Sequence, residues 1–187
     1  MDLQEQYVGY EFHYLFLLMM SFLVWLIIPG IGLLYGGLSR RKSALALLFQ
    51  TFTVLGVVTF QWMLWGYSLA YSRTGGPFIG NMDNVGMQNV WMAAQGAVPD
   101  LAFCLYQLLF CATTVQIVMG GSFERGGLLP SLLFAFIWPT VVYCPIAYWT
   151  WNANGWLFNL PDLDYAGGGP VHSKFPMNHF LFSFKQF

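Results

Sequence analysis

Long apolar runs, separated by short polar segments, occupy most of the chain from residue 12 onward. Four of these runs contain no Asp, Glu, Lys or Arg, over residues 12–39, 43–72, 101–123 and 126–161. Each run exceeds the roughly 20 residues that an α-helix needs to cross the hydrocarbon core of a bilayer. The pattern predicts the start of a fifth span near His172, after four complete membrane-spanning helices over residues 14–38, 43–71, 100–121 and 128–149.

Composition agrees with a lipid environment. The 187 residues are 57% hydrophobic and only 8% charged, whereas soluble domains carry about 25% charged residues. We therefore predict an all-α, polytopic membrane helical bundle that is embedded in the lipid bilayer. The net charge of -1 offers no basic surface, so no nucleic-acid partner is expected. Cys104, Cys111 and Cys144 lie inside apolar runs, at spacings that match neither a disulfide framework nor a zinc site.

The charges between the runs predict how the chain is oriented. Arg40, Arg41 and Lys42 follow the first run directly, and basic loops stay in the cytosol. The N-terminus is therefore predicted to be extracellular, and the connector of residues 72–99, which is rich in Gly, Asn and Pro, is predicted to be external. The short loop SFERGG, at residues 122–127, is then a second cytosolic turn.

Proline and glycine interrupt two of the predicted spans. The dipeptide Pro-Gly at residues 29–30 lies within the first span, and Pro139 and Pro145 are predicted to bend the fourth. Lipid tolerates such residues where neighbouring helices cover the freed backbone groups. Gly32 and Gly36 have the small-xxx-small spacing that lets two helices approach closely. We interpret the first span as a kinked packing helix.

The second half of the second span, FQWMLWGYSLAY, is rich in aromatic residues. Trp and Tyr favour the membrane interface, where one end of the ring can be wet. Trp62, Trp65, Tyr67 and Tyr71 are therefore interpreted as an aromatic belt, with a ligand-binding role as the alternative.

The predicted spans lack the groups that most membrane enzymes need. No acid, Lys or Arg lies within the apolar runs, which argues against an intramembrane protease, a proton pump or a voltage sensor. His13, His172 and His179 lie near the ends of runs, so axial haem ligation is not expected. The segment GGGP lacks the Lys-Ser/Thr of a phosphate-binding loop. We predict no enzyme activity, no cofactor and no metal site.

Several residues at span ends are candidates for binding a cation. Tyr106 and Phe110 are four residues apart and share one helix face, and Trp151 ends the fourth span. Aromatic faces attract cations, with Trp the strongest. Asp164 precedes a predicted helix start and His172 follows it. Each candidate has a structural alternative: core packing for Tyr106 and Phe110, a belt position for Trp151, and a helix cap for Asp164.

Several long motifs resemble the ammonium transporter family (Amt/Mep/Rh), and its fungal Mep-like branch most closely. They are PGIGLLYGGLSRRKSAL, FQWMLWGYSLAYSRTGGPFIGN, PDLAFCLYQLLFCATTVQIVMGGSFERG, WPTVVYCPIAYWTWNANGWL and DYAGGGPVH. The resemblance covers residues 25–172 in the order that the family has. It implies ammonium transport at the plasma membrane, and homotrimers in which each subunit encloses a hydrophobic pore built from eleven spans.

The resemblance also implies roles for individual residues. Phe110 matches a phenylalanine that gates the outer pore mouth, and Tyr106 matches the aromatic residue one turn before it. Trp151 matches the tryptophan of the ammonium recruitment site, and Asp164 the acid that supports that site. His172 matches the first of two pore histidines, which would hydrogen-bond ammonia and pass a proton in a pore too dry for a bare cation.

The resemblance stops after His172, where family members continue for more than the length of this chain. We expect residues 1–172 to be the N-terminal part of the transporter domain and residues 173–187 to be a non-family tail. Ser-Lys-Phe can be encoded by AGT-AAG-TTC, which contains the intron donor GTAAGT, so read-through of an intron would produce such a tail. The chain is then expected to be a non-conducting form. The alternatives are a regulatory or dominant-negative subunit of full-length transporters, and a membrane protein that binds through its aromatic outer loop.

Overall fold

The computed structural model describes residues 9–40, 42–90, 94–95, 98–120, 127–160 and 164–172. The helices are α1 (Glu11–Leu38), α2 (Ala44–Gln61), α3 (Tyr67–Tyr71), α4 (Asp100–Gly120), α5 (Leu128–Trp138) and α6 (Cys144–Trp151). Three π-helical turns comprise Trp62–Gly66, Pro139–Tyr143 and Gly168–His172, and are called the first, second and third π-turns. Most of the loop SFERGG and the whole predicted tail lie outside the described residues.

Among the described residues, four helices are long and apolar enough to cross a membrane, so the predicted helical bundle is confirmed. We call them spans one to four: Glu11–Leu38, Ala44–Tyr71, Asp100–Gly120 and Leu128–Trp151. Spans two and four each contain a π-turn between two α-helices. Span one begins three residues earlier than predicted, where the Glu11 carboxylate accepts a hydrogen bond from the N–H of Gly9. Span four continues to Trp151, because the N–H of Asn152 still bonds Tyr148 O before the backbone becomes extended.

Span three lies at the centre of the described bundle. Its most apolar stretch is 67% buried, against 28–33% for the other three spans. Close approach of spans one and two depends on glycine: a Cβ at Gly32 would lie 2.9 Å from Thr51 Oγ1. The Gln116 side chain of span three donates to Thr51 O at 3.3 Å and connects the third span to this contact. The packing role predicted for Gly32 is confirmed.

The aromatic belt predicted for span two is wrong for three of its four residues. Trp62, Tyr67 and Tyr71 are at most 3% exposed. Their rings contact one another at centroid distances of 5.7–6.2 Å, and Trp62 also contacts Tyr143 of span four at 6.3 Å. An aromatic-rich run has both a lipid face and a core face, and composition does not distinguish them. These residues therefore form the core between spans two and four.

The connector after span two folds back onto the end of that span. Gly80 N–H donates to Leu69 O, Asn81 N–H to Ser72 Oγ and Asn84 N–H to Ser68 Oγ, each at 2.9 Å. Two short strands that the sequence did not predict, β1 (Ala94–Gln95) and β2 (Val98–Pro99), pair in antiparallel fashion just before span three. We call this side of the bundle, which carries residues 72–90 and 152–160, the connector end.

Candidate functional site

Three aromatic side chains from spans three and four meet near the connector end. Tyr106 and Phe110 lie one turn apart on α4, with ring centroids 4.9 Å apart and planes at 67°. Trp151, the last residue of α6, lies 6.4 Å from Phe110 at 75°. Both contacts are edge-to-face, the arrangement that aromatic quadrupoles favour. All three rings are half-buried, so the structure brings together the three aromatic residues that the sequence singled out. We call them the aromatic trio.

The segment after span four holds the Trp151 indole in place. Its Nε1–H donates to the backbone carbonyl of Asp164 at 2.9 Å. The Asp164 carboxylate in turn accepts hydrogen bonds from the N–H groups of Gly168 and Gly169, both at 2.7 Å. These N–H groups begin the third π-turn, where free backbone donors attract an anionic cap. Asp164 therefore joins the trio to the turn that carries His172.

The run of three glycines is explained by crowding around this cap. Gly167 has a φ of +74°, a conformation that L-residues with a side chain rarely adopt. A Cβ at Gly167 would lie 2.9 Å from Val171 Cγ2 and 3.4 Å from the Trp151 ring. A Cβ at Gly169 would lie 3.1 Å from Asp164 Oδ2. The glycines thus let the backbone turn tightly beneath the indole.

His172 ends the third π-turn, and its N–H donates to Gly167 O at 3.1 Å. Its side chain is exposed. Within the described chain, no hydrogen bond or ring contact joins its imidazole to the aromatic trio. The structure therefore places His172 in the same local segment as Asp164, but it does not bring the imidazole onto the three rings.

A buried acid at the connector end was missed in the sequence. Asp100, the first residue of span three, is only 3% exposed. Its carboxylate accepts a hydrogen bond from the Tyr67 hydroxyl and lies 3.5 Å from the Arg73 guanidinium. Span two ends just before Arg73 and span three begins at Asp100, so opposite charges at successive span ends were the available signal. The contacts fasten the ends of spans two and three together.

The site, as far as the described residues form it, presents an aromatic surface. In the described ranges, no cluster of three or more His, Cys, Asp and Glu side chains is placed to hold a metal ion. The nearest carboxylate, that of Asp164, is occupied by two backbone N–H groups. What remains available to a ligand is the set of half-buried ring faces, which favours a cation or a small polar molecule over an anion.

Four apolar spans and this site define a multi-pass α-helical membrane protein. A profile of the Ammonium Transporter Family matches residues 15–174, which is most of the chain. The chain belongs to that family, and the relatives named below are transporters rather than enzymes.

Fungal relatives are similar across most of the chain. Ammonium transporter 1 of Schizosaccharomyces pombe is 47% identical over 153 residues, which cover 80% of this chain and 31% of that protein. Ammonium transporter MEP2 of Saccharomyces cerevisiae is 50% identical over 153 residues, which cover 80% of this chain and 31% of that protein. The crystal structure of Candida albicans Mep2 superposes with a TM-score of 0.90 at 45% identity, covering 98% of this chain and 40% of that one. The chain thus spans about a third of the length of these two curated relatives.

We expect Asp164→Ala to lower the thermal unfolding midpoint of the purified protein in detergent, because two backbone N–H groups lose their acceptor. The Gly168 N–H is exposed and can bond water instead, so the cost of about 1–3 kcal/mol for an unsatisfied buried donor applies at most to the part-buried Gly169. Asp164→Asn should be intermediate, since the amide oxygen can accept from one N–H while its NH₂ group faces the other. Tyr165→Ala, a change at the neighbouring and 89% exposed residue, is the control. An unchanged midpoint in Asp164→Ala would contradict the capping role.

Proposed function

We propose that the protein transports ammonium across the membrane and that the aromatic trio recruits the cation. The observation that carries the proposal is the Phe110–Trp151 contact at 6.4 Å, with Tyr106 against Phe110, in a chain of the Ammonium Transporter Family. The relatives named as ammonium transporters, at 47% and 50% identity, support the same substrate.

The chemistry of the trio suits ammonium. Ring faces hold a cation by their quadrupole, worth about 2 kcal/mol or more where the cation is desolvated. A narrow apolar pore beyond them penalises a bare charge heavily. Ammonium, unlike potassium, can lose a proton and continue as neutral ammonia. In this scheme Trp151 and Tyr106 receive the cation, and Phe110 gates the passage beyond.

Asp164 and His172 complete the proposed site. Asp164 supports it through backbone groups, because both of its carboxylate oxygens are already engaged by Gly168 and Gly169. His172 is the proposed pore histidine, since a neutral imidazole can accept or donate a hydrogen bond and relay a proton near neutral pH. Its place at the end of the capped π-turn would make its position depend on Asp164.

Trp151→Leu tests the recruitment site in the protein expressed from its complete gene. In cells that lack other ammonium transporters, we expect the KM for ammonium uptake to rise about tenfold, which corresponds to about 1.4 kcal/mol of lost cation–π attraction. Discrimination against potassium should weaken as well. Trp156→Leu is the matched control, because Trp156 is another half-exposed indole at the connector end, in contact with Trp149 at 6.0 Å.

Two results would count against the proposal. Absence of ammonium uptake by the unaltered protein would reject transport. Equal effects of Trp151→Leu and Trp156→Leu would reject a special role for Trp151 and favour the alternative of general aromatic binding at the connector end.

Residues 1–187 expressed alone are proposed not to conduct, since they match about a third of the length of the curated relatives and supply one pore histidine. A second candidate role is a regulatory or dominant-negative subunit. It is favoured by the exposed apolar face of span one, which includes Phe12, Phe16 and Phe22, each at least 60% exposed. The family's homotrimer offers one assembly that such a face could join.

Uptake assays on cells that make only residues 1–187 should show no ammonium uptake above background, whereas measurable uptake would rule out the non-conducting form. Co-expression with a tagged full-length transporter separates the two roles. Co-purification together with reduced uptake supports the regulatory subunit, and failure to co-purify excludes it.

We further propose that the protein resides in the plasma membrane with its N-terminus outside. Arg40 and Lys42, both exposed between spans one and two, support this orientation through the tendency of basic loops to remain cytosolic. The connector end, and the aromatic trio near it, would then face the exterior.

An epitope tag at the N-terminus should be stained by antibody on intact cells, because this orientation leaves it outside. A tag between Arg40 and Lys42 serves as the control and should require permeabilisation. The reverse pattern of staining would overturn the orientation, and staining confined to internal membranes would overturn the localisation.

A further inference from the structure

One hydroxyl group joins span four to span two at the point where the half that carries Trp151 begins. Thr140, in the second π-turn, accepts hydrogen bonds from Gln61 Nε2 and Trp65 Nε1, both at 2.9 Å. It donates to Phe136 O at 3.2 Å. A hydroxyl has one donor and two acceptor sites, so all the capacity of Thr140 is used. Gln61 precedes the first π-turn and Trp65 lies within it, so Thr140 links the irregular turns of both spans.

At the connector end, a side-chain amide joins the same half to span two. Asn152 directly follows Trp151 and is buried. Its Nδ2 donates to Ser72 O at 2.9 Å and to Ala70 O at 3.4 Å. Its Oδ1 accepts from the N–H of Asn154 at 3.0 Å. Helix α6 therefore lies between two side-chain ties that reach the same neighbouring span.

These ties matter because the backbone of span four specifies its rotation weakly. The N–H of Cys144 bonds Pro139 O, five residues back, instead of the residue four back. The π-turn thus holds one residue more than an α-helical turn does. Since each residue turns an α-helix by about 100°, a regular α-helix here would rotate Trp151 away from Phe110. Pro139 and Pro145 lack an N–H, so a regular α-helix through this section would forfeit hydrogen bonds too. The hydrogen bonds of Thr140 and Asn152 add support that depends on the observed register.

We propose that Thr140 and Asn152 are positioning residues for Trp151. Each fixes the rotation of α6 at one end of that helix, so that the indole meets Phe110 edge-on. Neither residue needs to touch the cation. The inference rests on the proposed recruitment role of Trp151, but the orientation of that side chain can be measured without transport.

Uptake kinetics of variants of the protein expressed from its complete gene provide the first test. Thr140→Val, which keeps the shape and removes the hydroxyl, should raise the KM for ammonium about tenfold while the maximal rate per surface-expressed molecule changes less than about twofold. Thr140→Ser should restore a KM near the normal value. Asn152→Asp, which cannot donate to the two carbonyls, should act like Thr140→Val. Asn154→Asp is the matched control, because Asn154 donates to Arg73 O in the exposed loop.

A double variant decides whether the two residues act through the indole. In a Trp151→Leu background, Thr140→Val should add less than about a twofold change in KM, since residues that act as one unit are not additive. Multiplication of the two single effects would overturn the proposal.

Labelling of Trp151→Cys by a membrane-impermeant thiol reagent gives a readout independent of transport. The native cysteines are all buried, so the unaltered protein supplies the blank. Thr140→Val and Asn152→Asp should each change the labelling rate about tenfold or more, since helix rotation alters access, while Thr140→Ser and Asn154→Asp should not. Unchanged rates would overturn the positioning role. Changed rates in a protein that takes up no ammonium would reject the proposed function and leave the positioning role standing.

Discussion

A backbone that crosses lipid has to satisfy almost all of its N–H and C=O groups internally, and this constraint shapes spans two and four. Both depart from α-helical geometry through a π-turn, Trp62–Gly66 in one and Pro139–Tyr143 in the other. The departures are matched across the bundle, because the Thr140 hydroxyl of the second π-turn accepts hydrogen bonds from Trp65 of the first π-turn and from Gln61 directly before it. The rings of Tyr71 and Tyr143 also pack against Trp62 between these spans. The halves of these spans nearer the connector end are consequently placed as a pair.

The site at the connector end is built mainly from backbone contacts. Trp151 is held by a carbonyl, and Asp164 is occupied by amides of the third π-turn. A carboxylate engaged in this way lends its charge to the turn. In the proposed function, structural support is then separate from recognition: acidic and glycine residues shape the loop, while the aromatic residues of spans three and four would meet the cation.

The sequence alone predicted the structure where a residue type has the same structural effect at every position of a membrane span. Absence of charge located all four spans, and the four-residue spacing of Tyr106 and Phe110 identified their shared face. Sequence-based prediction failed where the burial of a residue depends on contacts with residues that are distant in the chain. Trp62 and Tyr67 could not be assigned to the core, because the π-turn that orients them has no marker in their own residues. Asp100 was assigned to the start of span three, but its burial depends on Arg73 and Tyr67, which are distant in sequence. Nothing in its own span distinguishes Thr140 from other threonines.

The bond between Asn152 and the end of span two has a consequence for the order in which the protein is made. Its partners, Ser72 and Ala70, lie 80 and 82 residues earlier in the chain. At synthesis rates of about 5–20 residues per second, roughly 4–16 s pass between synthesis of these carbonyl groups and synthesis of the Asn152 amide that bonds them. During that interval the end of span two lacks these two hydrogen bonds. Maturation of the connector end is thus a late event, coupled to the arrival of span four in the bilayer.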